Sequence, residues 1–230
     1  MRHPIIIFYH IYAYGDWESM VVEQLNRLRD SGLYGECSAM FISFIGNQEN
    51  ADRYYRLIEP FKKAHTIKID EVNNKEFDIL HAMWYLAYET LWLREKWDSD
   101  AYVFYIHTKG IWKGTEFPEM RNNLKDWRYM MEYFLINKWR NCIDYLKQED
   151  VDAVGCNYRG AEFLGNICNH FSGNFWATKL RYIYTLSEPM NNSNVMYNEF
   201  WIGEKNPRVK ILHESNIDHY REGYSRERYV

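Results

Sequence analysis

The stretch AYVFYIHTKG, Ala101 to Gly110, decides the fold. Its first six residues form an unbroken apolar and aromatic run, the pattern of a strand covered on both faces, as strands of parallel sheets are. His107, Thr108, Lys109 and Gly110 follow at once, so the strand is expected to end in a polar, glycine-terminated loop. Working outward, strand-like runs alternate with helical periodicity. Towards the N-terminus, Pro4 to Tyr14 (PIIIFYHIYAY) reads as a strand, and Asp16 stands where it could cap a helix with Met20, Val21, Leu25 and Leu28 at helical spacing. A second strand is expected from Cys37 to Ile45, closed by Gly46-Asn47, then a helix over about 49–63, a short strand from Thr66 to Ile69 and a long helix over 76–96. Towards the C-terminus, residues 116–148 read as helical. Strands are expected at Val151 to Cys156 (VDAVGC), Phe171 to Thr178 (FSGNFWAT) and Val209 to His213, with a short helix over 179–186 and a polar, charged tail. This alternation predicts an α/β, Rossmann-like single domain over residues 1–230, with a mainly parallel central sheet flanked by helices.

Composition narrows the function. The 230 residues include 47% apolar and 18% aromatic side chains, enough for a substantial core. A net charge of -4 without a basic stripe argues against nucleic acid as the main partner. The four cysteines, Cys37, Cys142, Cys156 and Cys168, show no CxxC spacing and suit a reducing compartment. No apolar run is long enough for a transmembrane segment, and the chain opens almost directly on a strand, so a cytoplasmic, soluble protein is expected.

In an open α/β sheet ligands bind beyond the carboxyl ends of the strands. The residues expected there are His10 and Tyr12, Gly46, Asp70, the group His107, Thr108, Lys109 and Gly110, and Asn157. His107 and Lys109 could serve an anionic ligand or could be solvated turn residues. In NHFSGNFW, Asn169 to Trp176, the groups His170, Ser172, Gly173 and Asn174 lie among aromatics and suit a sugar, although taken alone the segment reads more readily as a tight turn with aromatic core packing. In YNEFWIG, Tyr197 to Gly203, Glu199 stands among aromatics that would desolvate it, raise its pKa and suit it to general-base work.

Five segments in order carry a resemblance over nearly the whole chain: His10-Ile11-Tyr12, SGLY at Ser31 to Tyr34, YIHTKG at Tyr105 to Gly110, HFSGNFWA at His170 to Ala177, and EFWIG at Glu199 to Gly203. Together they resemble GT-A-like glycosyltransferases of polysaccharide-building bacterial proteins and of large viruses of algae. The resemblance implies a nucleotide-sugar donor held by the half over about 1–110, at His10, Tyr12, Gly46, Asp70 and His107 to Gly110. It implies a glycan acceptor held by the half over about 111–230, at Asn157, His170, Ser172, Gly173, Asn174 and Trp201. The mechanism expected is direct displacement with Glu199 as base and inversion at the anomeric carbon, with retention open because the sequence gives no distance between a carboxylate and the reacting carbon. Further domains of a longer protein are compatible with it. The alternative is a non-catalytic nucleotide-sugar or carbohydrate binding module.

The sequence departs from the GT-A pattern where an Asp-X-Asp metal motif would end a strand, since that strand here ends in His107-Thr108-Lys109. The Asp-Ser-Asp at Asp98 to Asp100 precedes its strand and reads as a turn, with a weaker reading as a cation site. His213, ending the last strand, is a further metal lead by the same resemblance, but it reads more readily as a partnered core histidine. No cofactor is firmly expected, and whether Mn²⁺ or Mg²⁺ takes part is left open; Lys109, with His107, is expected to offset the diphosphate charge in the place of a metal.

Overall fold

A computed structural model describes residues 3–71, 76–93, 101–160, 169–191 and 196–230. In chain order the elements of the first half are β1 (Ile5–Tyr12), α1 (Trp17–Asp30), α2 (Leu33–Glu36), β2 (Ala39–Ile45), α3 (Gln48–Ile58), β3 (Ala64–Asp70), α4 (Phe77–Leu93) and β4 (Tyr102–His107). The second half holds α5 (Ile111–Glu116), α6 (Arg121–Glu132), α7 (Trp139–Leu146), β5 (Ala153–Cys156), β6 (Tyr158–Arg159), β7 (His170–Phe171), β8 (Trp176–Lys179), α8 (Leu180–Ile183), α9 (Met196–Phe200) and β9 (Val209–His213). Seven strands form one sheet in the order β3-β2-β1-β4-β8-β5-β9. All neighbours run parallel except β8, which lies antiparallel between β4 and β5. This is the mainly parallel α/β sheet that the alternating pattern predicts.

The unbroken apolar runs mark strands covered on both faces, and side chains alternate between two cores. In β1, Ile5, Ile7, Tyr9 and Ile11 join one core with Trp17, Val21, Leu25 and Leu28 of α1, and with α6 and α7. Ile6 and Phe8 join the other, with Ile79, Leu80, Met83 and Ala87 of α4. β4 divides likewise, with Phe104 and Ile106 on the first side and Val103 and Tyr105 on the second. Each such side chain contributes roughly 1.5–3 kcal/mol by leaving water. His10 and His107 continue the second alternation, which decides the face on which they emerge.

Three local expectations change. Asp16 occupies the N-cap of α1 but makes no capping hydrogen bond, whereas Asn47 caps α3 by accepting from the Asn50 amide at 2.9 Å. The helical stretch 116–148 is broken near Phe117 and again by a π turn at Tyr133–Asn137. FSGNFWAT is two strands, because Gly173 (φ 93°) and Asn174 (φ 56°) turn the chain between β7 and β8. β7 pairs with β6 in a separate ribbon, and only β8 enters the main sheet.

Candidate active site at the strand switch point

The chain leaves β1 for β2 and β3 on one side and returns to β4 on the other, which makes the carboxyl ends of β1 and β4 the crevice of the sheet. His10 and His107 are directly paired in the β1–β4 register, so the two imidazoles stand side by side at that edge. Thr108 ties the ends together, since its hydroxyl accepts from the Tyr12 amide at 2.9 Å and its own amide donates to the His10 carbonyl at 3.1 Å. Above them opens a cavity of about 900 Å³. Gly110, Ile111 and Trp127 form one wall; Ser172, Gly173, Asn198 and Glu199 form another; the loop from Asn216 to Tyr220 closes the rim.

The charges at the floor are organised in two groups. Lys109 Nζ lies 3.2 Å from Glu199 Oε1 and 4.9 Å from the centre of the Trp127 ring. Burial pulls the Lys109 ammonium down, but the negative charges around it, Glu199 foremost, outweigh burial and leave its pKa raised. Lys109 in turn holds the Glu199 carboxyl below its usual range, against the opposing effect of burial. The expectation of a raised Glu199 pKa is therefore reversed: the aromatic neighbours do desolvate it, but a cation at 3.2 Å dominates.

In the second group His107 Nε2 faces the Gly173 carbonyl at 2.9 Å, and its Nδ1 faces Glu76 Oε1 at 3.4 Å. Asn174 donates from Nδ2 to Glu76 Oε2 at 2.5 Å and accepts from Trp176 Nε1 at 2.9 Å. His10 Nδ1 meets Ser43 Oγ at 2.7 Å. Burial pushes both histidines down to about 4, so both are neutral at pH 7. Gly173 must be glycine here. Its φ of +93° is strained for other residues, and a Cβ would come within 2.5 Å of Met131 Sδ.

Of the residues singled out in the sequence, His10, Tyr12, His107, Thr108, Lys109, Gly110, Asn157, His170, Ser172, Gly173 and Glu199 line this one cavity. Gly46 and Asp70 do not. They bond to each other at the neighbouring strand ends, the Gly46 amide donating to the Asp70 carbonyl, and Asp70 also faces Lys68 at 3.5 Å. Asn174 lies buried beneath the floor, and Trp201 is buried with its indole donating to the Ser187 carbonyl. His213 is bonded to the Tyr224 hydroxyl at 2.8 Å and stacked on Phe134. Asp98 and Asp100 lie outside the described residues. Among the described residues no three His, Cys, Asp or Glu side chains converge to hold a metal ion.

The cavity also gathers residues that no local pattern marked. Glu76 stands immediately before α4. Trp127 stacks on His219 at 4.8 Å and 4° between planes, and both Trp127 Nε1 and His219 Nδ1 are buried without a hydrogen-bond partner among the described residues. Asn198, one residue before Glu199, was detectable as part of the same polar-aromatic segment; Trp127 was hidden inside a helical apolar stripe.

These histidines make stability depend on pH. His10, His107 and His219 are each held at about 4, below their ordinary 6.5. A depressed pKa contributes stability that is present above 6.5 and lost as pH falls towards 4, because the unfolded chain takes up the protons first. Glu76, raised mainly by burial, opposes this by one proton at most. The unfolding free energy from urea titrations is therefore expected to fall between pH 6.5 and 4.5, by roughly 1–2 kcal/mol per pH unit, with the urea midpoint falling alongside it. A midpoint unchanged over that interval would contradict neutral buried histidines.

No helix in the described residues is long and apolar enough to cross a membrane. No curated protein matches the sequence. Among solved structures, the chain is similar to one titled "Crystal structure of 4-diphosphocytidyl-2C-methyl-D-erythritol synthase", at 7% identity and a TM-score of 0.46, over 98% of this chain and 94% of that one. The model of one family, described as "Domain of unknown function (DUF8361)", matches residues 8–229. The chain belongs to that family.

Proposed function

We propose that the protein is a GT-A-like glycosyltransferase, moving a sugar from a nucleotide-sugar donor to a hydroxyl of a glycan acceptor with inversion. The observation that carries this reading is the buried Lys109–Glu199 pair at the floor of a cavity of about 900 Å³, where the sheet reverses direction. Lys109 offers a cation to the donor diphosphate. When it turns from Glu199 to the phosphates, the chief cause of the low Glu199 pKa is removed and burial becomes the dominant influence. Donor binding would thus convert Glu199 from an ion-pair partner into a base able to take the acceptor proton. Asn157, His170 and Ser172, which line the same cavity, supply hydrogen-bonding groups for acceptor hydroxyls. His213 is engaged with Tyr224, and the charge compensation in this reading rests on Lys109.

The test is a thermal-shift and hydrolysis panel of UDP-, GDP-, dTDP- and CMP-sugars, each with EDTA and with Mn²⁺. At a hundredfold excess over Kd, a true donor should raise the Tm by about 5–10 °C and release its nucleotide slowly. Stabilisation without release in the presence of glycan acceptors would instead favour a binding module. Activity lost to EDTA and restored by Mn²⁺ would remove Lys109 from its role as substitute for a metal.

A further inference from the structure

The Glu76–His107 contact carries more than a packing role. A carbonyl oxygen has only lone pairs, so the 2.9 Å approach of His107 Nε2 to the Gly173 carbonyl puts a hydrogen on Nε2. A neutral His107 then presents a bare lone pair at Nδ1 towards Glu76 Oε1, 3.4 Å away. Were Glu76 a carboxylate, two lone pairs would face each other in a buried place. Oε2 accepts from the Asn174 amide and the Tyr105 hydroxyl also bonds to this carboxyl, but neither puts a hydrogen between Oε1 and the His107 lone pair; the group that fits there is a proton on Oε1.

The surroundings decide which partner keeps it. Glu76 is faced by His10 from β1, by Tyr105 and His107 from β4, by Lys109 after β4, and by Glu199 from α9. His10 is neutral, and Lys109 is occupied by Glu199, whose negative charge disfavours a second carboxylate nearby. Lys109 likewise disfavours an imidazolium at His107.

We infer that Glu76 faces the cavity as a neutral carboxylic acid at pH 7, with its proton on the side of His107 Nδ1, and that this neutrality makes the cavity receptive to an anionic phosphate ligand. The charged side chains lining it are Lys109, Lys113 and Arg159 against Glu76, Glu199 and Asp218. With Glu76 ionised they cancel; with Glu76 protonated a single positive charge remains for the ligand. The inference deepens the glycosyltransferase reading in its choice of ligand, while the protonation itself stands on geometry alone. Two carboxyls in one cavity, one kept ionised and one kept neutral, is the arrangement by which sites assign separate acid and base roles.

Isotope-edited infrared spectroscopy of the protein alone, with ¹³C-carboxyl glutamate, reads the proton directly. The carbonyl stretch of a buried protonated acid is expected at pH 7 in the wild type and absent from Glu76→Gln. A wild-type spectrum showing that band only below pH 4.5 overturns the inference. Binding of UDP and of GDP, measured by calorimetry across pH 6 to 9, is the second arm. Affinity is expected to fall roughly tenfold as Glu76 ionises, and Glu76→Gln, whose amide can still donate to Nδ1, should flatten the dependence. A band at pH 7 with no nucleotide binding would sink the glycosyltransferase reading and the phosphate preference, and leave the neutral acid standing. Binding with the same pH profile in wild type and Glu76→Gln would overturn the role assigned to the proton.

Discussion

Replacing Lys109 with Met is expected to destabilise the protein by about 3 kcal/mol and to abolish nucleotide-sugar binding. The side chains of Lys109 and Glu199 are only 11% and 32% exposed, and their charged atoms lie 3.2 Å apart. Removing one partner of a buried pair leaves the other charge desolvated and uncompensated, at a cost of about 3–5 kcal/mol. The lower end applies because Glu199 keeps some contact with water. The double variant Lys109→Met, Glu199→Gln should recover most of the loss, since no unpaired charge remains and a neutral amide is cheaper to bury. Urea unfolding of the two single variants and the double variant measures this coupling directly; strictly additive effects would show that the pair is not a unit. Under the proposed mechanism Glu199→Gln alone keeps donor binding and loses transfer, and full activity in that variant removes Glu199 from the chemistry.

The second large effect is expected at Gly203, where alanine should cost about 4 kcal/mol or prevent accumulation of folded protein. A Cβ built there would lie 1.6 Å from the Asn169 carbonyl oxygen and 2.5 Å from its carbonyl carbon. Both atoms are backbone, so no side-chain rotation relieves the clash; a strand end or the turn Trp201–Gly203 must move. Trp201 and Ile202 are both buried, and the same segment carries Asn198 and Glu199, so displacement would also open the cavity wall. Gly35→Ala is the matching control, because nothing lies within 4 Å of its Cβ direction, and a change within about 0.5 kcal/mol is expected. Equal melting temperatures for the two variants would mean that the close contact yields without cost.

Much of this architecture was legible along the chain because it depends on local periodicity. Runs such as IIIFYHIY and YVFYIH alternate between two cores and can only be strands covered on both faces. Polar residues that interrupt such runs at their carboxyl ends fall where the sheet topology puts a crevice, which is why His10 and His107 to Gly110 were found from sequence. Gly46 and Asp70 satisfied the same local rule yet miss the cavity. They end β2 and β3, on the far side of β1 from the switch point, and strand order is not written in any one segment.

The sequence by itself determined that a mainly parallel α/β sheet forms and where polar groups interrupt the ends of its strands, because alternation, glycine and proline act within a few residues of where they stand. Only the tertiary structure decided the electrostatics. It set Lys109 against Glu199, ninety residues later, and so lowered a pKa that the aromatic neighbours alone would have raised. It also brought Glu76, just before α4, to His107 and Asn174. A side chain's pKa depends on burial and on charges within a few ångströms, and those neighbours come from elements that no local pattern connects.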